Sequence, residues 1–206
     1  MGFSEALKYG KIAESYIAKF FLNKGYAVLP IYEKQINEGK GPQLFIGSES
    51  IIGTDMLIFN KDKVFWIEAK HKTAFSWHRK TQRWVTGIDL KHYEHYQRIQ
   101  NLTSWPVWLL FYHEGGQAKD SPAESPAGLF GNELKILTQT ENHRHMNWGN
   151  SGMVYWAISA LKLLEPKPPT PCPPYPSSRT QEHLQTPRTL IAQRLCSGSK
   201  QANTRT

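Results

Sequence analysis

The sequence predicts an α/β protein whose mixed central sheet is flanked by helices. Three observations carry that expectation. Residues 4–24 place Tyr9, Ile12, Ala13, Tyr16, Ile17, Phe20 and Phe21 at helical spacing. Two β-rich runs, GTDMLIFN (53–60) and VFWIEAK (64–70), follow one another across a short polar turn. A near-continuous apolar run, PVWLLFYH (106–113), follows a second helical pattern at 89–102, as a strand covered on both faces requires. The resulting order αβββαβ, with one further element, makes a mixed sheet rather than a bundle or a sandwich.

Each element has a local reason. Ser4 is placed to cap the first helix, and Gly25 stands where a left-handed residue ends it. Residues 26–33 read as the first strand, with Pro30 marking an edge or a bend. Gln35–Ser50 is Gly-rich and polar and reads as a loop; its Gly41-Pro42 pair either borders a site or is ordinary turn chemistry. Residues 71–88 hold Trp77, Trp84 and several cations, and no element is assigned to them. Asp89 sits at the start of the second helix, where a negative charge is favourable. Residues 114–128 read as a Gly/Pro/Ser loop, and 152–164 as a last strand or a strand leading into a helix.

Composition narrows the classes. With 39% hydrophobic and 12% aromatic residues, the chain has enough apolar mass for a core and is not wholly disordered. Its apolar runs fall well short of the ~20 residues of a membrane span, so no membrane partner is expected. The segment MGFSEALKYGKIAES is charged and amphipathic, unlike a secretory leader, so a cytoplasmic or nucleoid-associated protein is expected, not a secreted one. Two cysteines, Cys172 and Cys196, exclude a disulfide scaffold or a cysteine zinc site. Glu165–Pro176 holds seven prolines and breaks the pattern, so residues 1–164 are read as the domain and 165–206 as a basic tail expected to be disordered. The tail carries six Lys/Arg against two Asp/Glu, and the domain 19 against 15, so each contributes +4 of the net +8. A basic chain leans toward polyanions without naming a chemistry.

The chemistry comes from register. If Lys61-Asp62 form the hairpin loop, paired residue numbers sum to 123, and Asp55 and Glu68 stand opposite one another. Two facing carboxylates repel, and a divalent cation between them removes that cost. Lys70, two residues after Glu68, shares its face and adds a positive charge suited to a phosphate. Glu14 flanks the apolar stripe of the first helix and is the candidate third acid; its bland alternative is an ordinary surface glutamate. Asp55 stands in an otherwise apolar strand, where aspartate is disfavoured. Glu68 and Lys70 would be a solvated edge but for Val64 and Trp66 on the same face.

An acidic residue on the first helix, then Asp55, then Glu68-Ala69-Lys70 on the next strand resembles the PD-(D/E)XK nuclease superfamily, with its restriction-endonuclease-like core, and within it the Holliday-junction-resolvase-like branch. The likeness spans roughly residues 5–112. It implies that Asp55, Glu68 and the Ala69 carbonyl bind Mg²⁺, with Mn²⁺ as a substitute, and that Lys70 orients or activates the attacking water. It also implies that Glu14 serves a second ion or the water network. Gly53-Thr54-Asp55 departs from the proline that often precedes this Asp. Tyr93 and Gln97 stand in the reverse order of the Gln-x-x-x-Tyr helix of some relatives, so no role is carried to them. Junction-cutting relatives act as dimers, and a homodimer is expected on that ground alone.

His71–Asp89 interleaves cations with aromatics, a pattern that suits phosphate contacts with base stacking and equally suits a β-ribbon packed on the domain by its tryptophans. On the first reading Lys72, His78, Arg79, Lys80, Arg83 and, from the next helix, Lys91 contact nucleic acid. Asn142-His143-Arg144-His145 lacks the frame of a His-Asn-His nuclease. The expected function is Mg²⁺-dependent hydrolysis of DNA, branched or junction DNA included. The alternatives are an inactive nucleic-acid-binding module of the same fold and an RNA-processing or defence nuclease.

Overall fold

Ala13, Ile17 and Phe21 recur at helical spacing and are buried on α1 (Phe3–Asn23), the first element of the computed structural model. The structure describes residues 3–31, 42–148 and 151–166. Gly25 ends α1 as expected, with φ of 80°. The Gly25 and Tyr26 N–H groups donate to the Leu22 and Phe21 carbonyls at 3.0 and 3.1 Å, and the Phe21 and Tyr26 rings close the cap edge to face. The helix already includes Phe3, so Ser4 lies in its first turn and not at the cap.

The chain then forms β1 (Ala27–Pro30), β2 (Gln43–Ile46), β3 (Glu49–Ile52), β4 (Met56–Phe59), β5 (Val64–Lys72), β6 (Ser76–His78), β7 (Arg83–Asp89) and α2 (Leu90–Thr103). It continues through β8 (Val107–His113), β9 (Gly116–Gln117), β10 (Glu124–Ser125), β11 (Gly128–Glu133), α3 (Leu134–Gln139), β12 (Glu141–His145), β13 (Met153–Ala157), a 3₁₀ turn at Ile158–Ala160 and β14 (Lys162–Glu165). The α/β class with a mixed central sheet holds. Six strands lie in the order β1-β4-β5-β8-β11-β14, antiparallel throughout except for the parallel β5–β8 pair. A four-stranded sheet, β12-β13-β7-β6, stands beside it.

Several expectations change. The supposed loop 35–50 contains the β2–β3 hairpin, which continues to Ile52; Leu44 and Ile52 pack on the core under it. Gly41 lies outside the described residues, as do residues 32–40 of the first strand's expected end and the loop, and 167–206 of the tail. The 114–128 loop includes the short β9–β10 pair. Residues 152–164 do not end in a helix: β13 turns through the 3₁₀ segment into β14, which pairs with β11. Within residues 71–88, β5 ends at Lys72 and the β6–β7 ribbon follows, with Trp77 and Trp84 paired in register and in contact edge to face at 5.1 Å.

Alternation along the strands builds two cores. Met56, Ile58, Ile67, Ala69 and Leu110 point to α1. Leu109 and Phe111 point the other way, where Tyr93, Tyr96 and Ile99 of α2 meet Ile88, Val154 and Trp156 of the second sheet. α2 is thus held between two sheets, and every residue two away from Trp66 on β5 faces it. Among the described residues no helix is long and apolar enough to cross a membrane.

Candidate active site

The β4–β5 ladder has the expected register: Met56↔Ile67, Leu57↔Trp66, Ile58↔Phe65 and Phe59↔Val64. It stops there. Asp55 would be the next partner, opposite Glu68, but it has left the strand. Four contacts hold the departing stretch. His95 Nδ1 on α2 accepts the Ile52 N–H at 2.7 Å, and the Pro42 carbonyl accepts the Gly53 N–H at 2.6 Å. The Asp55 carbonyl accepts the Ile31 N–H at 2.9 Å, and the Asp55 Oδ2 accepts the Ala69 N–H at 2.7 Å. The side chain of Asp55 thereby replaces the missing strand at Ala69. In an antiparallel ladder the N–H and C=O of one residue face the same neighbour, so the Ala69 carbonyl also points to the Asp55 side.

On β5, Glu68 is buried, with its Oε1 2.5 Å from Lys70 Nζ. Its Oε2 is buried and has no hydrogen-bond partner. Burial pushes the Asp55 carboxyl well above the ordinary carboxylate range, and the neighbouring Glu68 pushes it further; Lys70 and the Ala69 N–H pull it back. Lys70 moves the other way. Glu68 and Asp55 outweigh its burial and hold its amine above its ordinary value. Lys72, the next residue on that face, is pushed down to about 8 by burial and by Lys70, against the pull of Asp89.

α2 closes the face. Tyr96 is buried, and burial, then the charge of Glu68 and a hydrogen bond to it, raise its pKa well above the phenol's ordinary value. His92, one turn earlier, has a buried Nδ1 without a partner, and burial then Lys70 lower its pKa. Asp89 caps α2 by position but makes no side-chain cap bond; its charge is felt by Lys70, Lys72 and Tyr96 instead. From α1, Glu14 is half-buried, and its carboxyl is raised by burial and then by Glu68.

These groups are oxygen donors of the kind that hard divalent cations take. An orphaned buried carboxylate oxygen on Glu68, a second carboxylate on Asp55 and a backbone carbonyl fit a small cation that keeps waters and substrate oxygens as its other ligands. Among the described residues no group of three or more His, Cys, Asp or Glu side chains is arranged to hold an ion.

Of the residues expected to contact nucleic acid, Lys72 stands inside the site, half-buried beside Lys70. The others are spread along the ribbon and α2. His78 is half-buried and paired with Thr81 through Nδ1 at 2.7 Å. Arg79 pairs with Asp120, and Lys80, Arg83 and Lys91 are exposed. Tyr96, His92 and Asp89 were not singled out as site residues. The i, i+4 spacing of His92 and Tyr96, one turn after a strand-ending aspartate, was the available signal.

The sequence matches no protein family and no curated protein. In structure it is similar to Hjc, a Holliday junction resolvase from the archaeal hyperthermophile Archaeoglobus fulgidus. The identity is 9%, the match covers 73% of this chain and 85% of that one, and the TM-score is 0.42. It is also similar to D212, a nuclease from a fusselovirus, at 13% identity over 80% of this chain and 89% of that one, with a TM-score of 0.39.

Proposed function

We propose that the chain is a metal-dependent nuclease that hydrolyses phosphodiester bonds in DNA, branched or junction DNA included. The observation that carries this reading is the convergence of Asp55 and Glu68 where the β4–β5 ladder opens, with the Lys70 amine against Glu68. Two acids and an amine gathered at a strand end, with one buried oxygen left unpaired, are costly for stability alone and suited to a cation and a phosphate.

When bound, Mg²⁺ or Mn²⁺ supplies a Lewis acid that polarises the scissile phosphate and lowers the pKa of water. Asp55, Glu68 and the Ala69 carbonyl would hold it. Tyr96 fixes the Glu68 carboxylate by donating to it. Lys70, held above its ordinary value, stays protonated at neutral pH. It is placed to orient or activate the attacking water and to offset the charge that develops on the phosphate. Glu14 lends negative charge to the water network, and the cations of the β6–β7 ribbon meet the flanking phosphates.

A substrate panel of linear, nicked, branched and single-stranded DNA, and RNA, tests this. Cleavage with Mg²⁺ or Mn²⁺ and none in EDTA is expected, with Asp55→Ala and Lys70→Ala slower by about 10²–10³-fold. Variants that cut at the wild-type rate overturn the mechanism. Gel-shift binding without cleavage under either metal leaves a binding module, and cleavage of the RNA arm alone moves the substrate class.

A further inference from the structure

The second sheet carries a feature that the metal site does not use. Ile88, Val154 and Trp156 face α2, so the residues alternating with them, Gly87, Asp89 and Tyr155, face away from it. His143 pairs with Tyr155 on that face, and His78 belongs to the same face through its register with Arg83. Their rings form a column. His78 lies 4.0 Å from His143 at 11°, and His143 lies 4.6 Å from Tyr155 at 5°. Three strands, β6, β12 and β13, each supply one ring. Gly87 lets the last ring lie flat on the sheet, because a Cβ there would sit 2.7 Å from Tyr155 Cδ1 and 2.4 Å from the Val154 carbonyl oxygen.

All three rings are half-buried, on a face turned from the core. Exposed Lys80 and Arg83 stand at the His78 end, with charge complementary to phosphates. Asp89 stands one pleat from Gly87 and Tyr155 on the same face. The cations therefore flank the His78 end of the column.

We propose that the His78–His143–Tyr155 column is a stacking site for an unpaired nucleobase of the bound nucleic acid. This rests on the nuclease reading and adds to it a preference for substrates with unpaired nucleotides. Parallel rings offer a π-face that any base matches, so the contact selects for an unstacked base and not for a sequence.

The test reads binding without cleavage. In EDTA, full-length protein is titrated with a single-stranded oligonucleotide carrying 2-aminopurine, in deoxyribose and ribose forms, and with a fully paired duplex. Quenching of 2-aminopurine is expected in at least one single-stranded form. Tyr155→Leu and His143→Ser should lose the quenching and about tenfold in affinity for that form, with duplex affinity little changed. Tyr155→Phe, which keeps the ring, should restore both, and melting curves confirm that each variant is folded. Equal losses on single strands and duplex, or no loss on either, overturn the stacking site. Wild-type protein that cuts DNA with metal while its column variants bind unpaired strands normally defeats this inference and leaves the nuclease standing. Protein that cuts no member of the panel defeats the nuclease reading itself.

Discussion

At the residue scale the site is defined by how much its charges cost. Asp55 is the clearest case, because burial and Glu68 both oppose its ionisation. Its pKa in the folded state lies above the ~3.9 of an unfolded aspartate, so over that window the folded protein holds more protons than the unfolded chain. Its stabilising contribution is complete below about pH 4 and is lost as pH rises through the folded value. Asp55→Asn keeps an acceptor for the Ala69 N–H and removes the charge. Metal-free D55N should melt about 2–4 °C above wild type at pH 8, the shift made by ~1 kcal/mol in a chain of this size. The same variant should lose the rise in melting temperature that Mg²⁺ gives wild type. A wild-type stability that is flat from pH 4 to 8 without metal contradicts this. Lys72 gives the opposite slope. Its folded value of about 8 lies below its ordinary 10.5, so the folded state sheds its proton first and stability rises between those two pH values. Lys72→Met should be more stable than wild type at pH 7 and should flatten that rise in chemical denaturation series. An unchanged slope would mean that Lys72 is solvated.

At the scale of elements, the hairpin of β4 and β5 was legible because its pairing is local. One turn sets the register, and the register brings Asp55 toward Glu68 and puts Lys70 on the same face. What was not legible depends on partners far along the chain. Nothing near Gly87 announces that Tyr155 lies across from it, and nothing near Leu129 announces that Glu165 does. The exit of Asp55 from the ladder was hidden for the same reason, since it is held by Ile31, Pro42 and His95 from three other segments. Tyr96 read as one more apolar position of an amphipathic helix, and only the packing of α2 shows its hydroxyl at Glu68. His95 is the testable strut in this arrangement. His95→Leu removes the acceptor of the Ile52 N–H and should cost about 1–3 kcal/mol. It should also weaken Mn²⁺ binding about 10–100-fold, the scale of losing a support behind a ligand, while circular dichroism stays unchanged. Wild-type Mn²⁺ affinity in that variant would show that α2 does not position Asp55.

At the scale of the whole molecule, β14 is the last strand of the described residues. The expected boundary at Leu164 falls inside this strand, which runs to Glu165 and forms one edge of the six-stranded sheet. Glu165 pairs with Leu129, and its carboxylate accepts the Tyr16 hydroxyl from α1, so the end of the last strand is tied to the first helix across the sheet. Two truncations distinguish what folds the domain from what only charges it. A chain ending at Pro166 keeps this tie and should melt as the full chain does. A chain ending at Leu161 strips β14 from β11, exposes a strand edge and frees Tyr16, and should melt several degrees lower and aggregate on heating. Residues 167–206 carry six Lys/Arg against one Asp/Glu. Their removal should therefore weaken nucleic-acid binding most at low salt and make log K less steep against log salt, by up to about 0.9 for each phosphate that the tail neutralises. Cleavage at saturating substrate should be unchanged, because the contacts that hold Asp55, Glu68 and Lys70 come from residues 31–95. If the chain ending at Pro166 melts as low as the one ending at Leu161, the tail is part of the fold, and its charge cannot be treated as an addition to it.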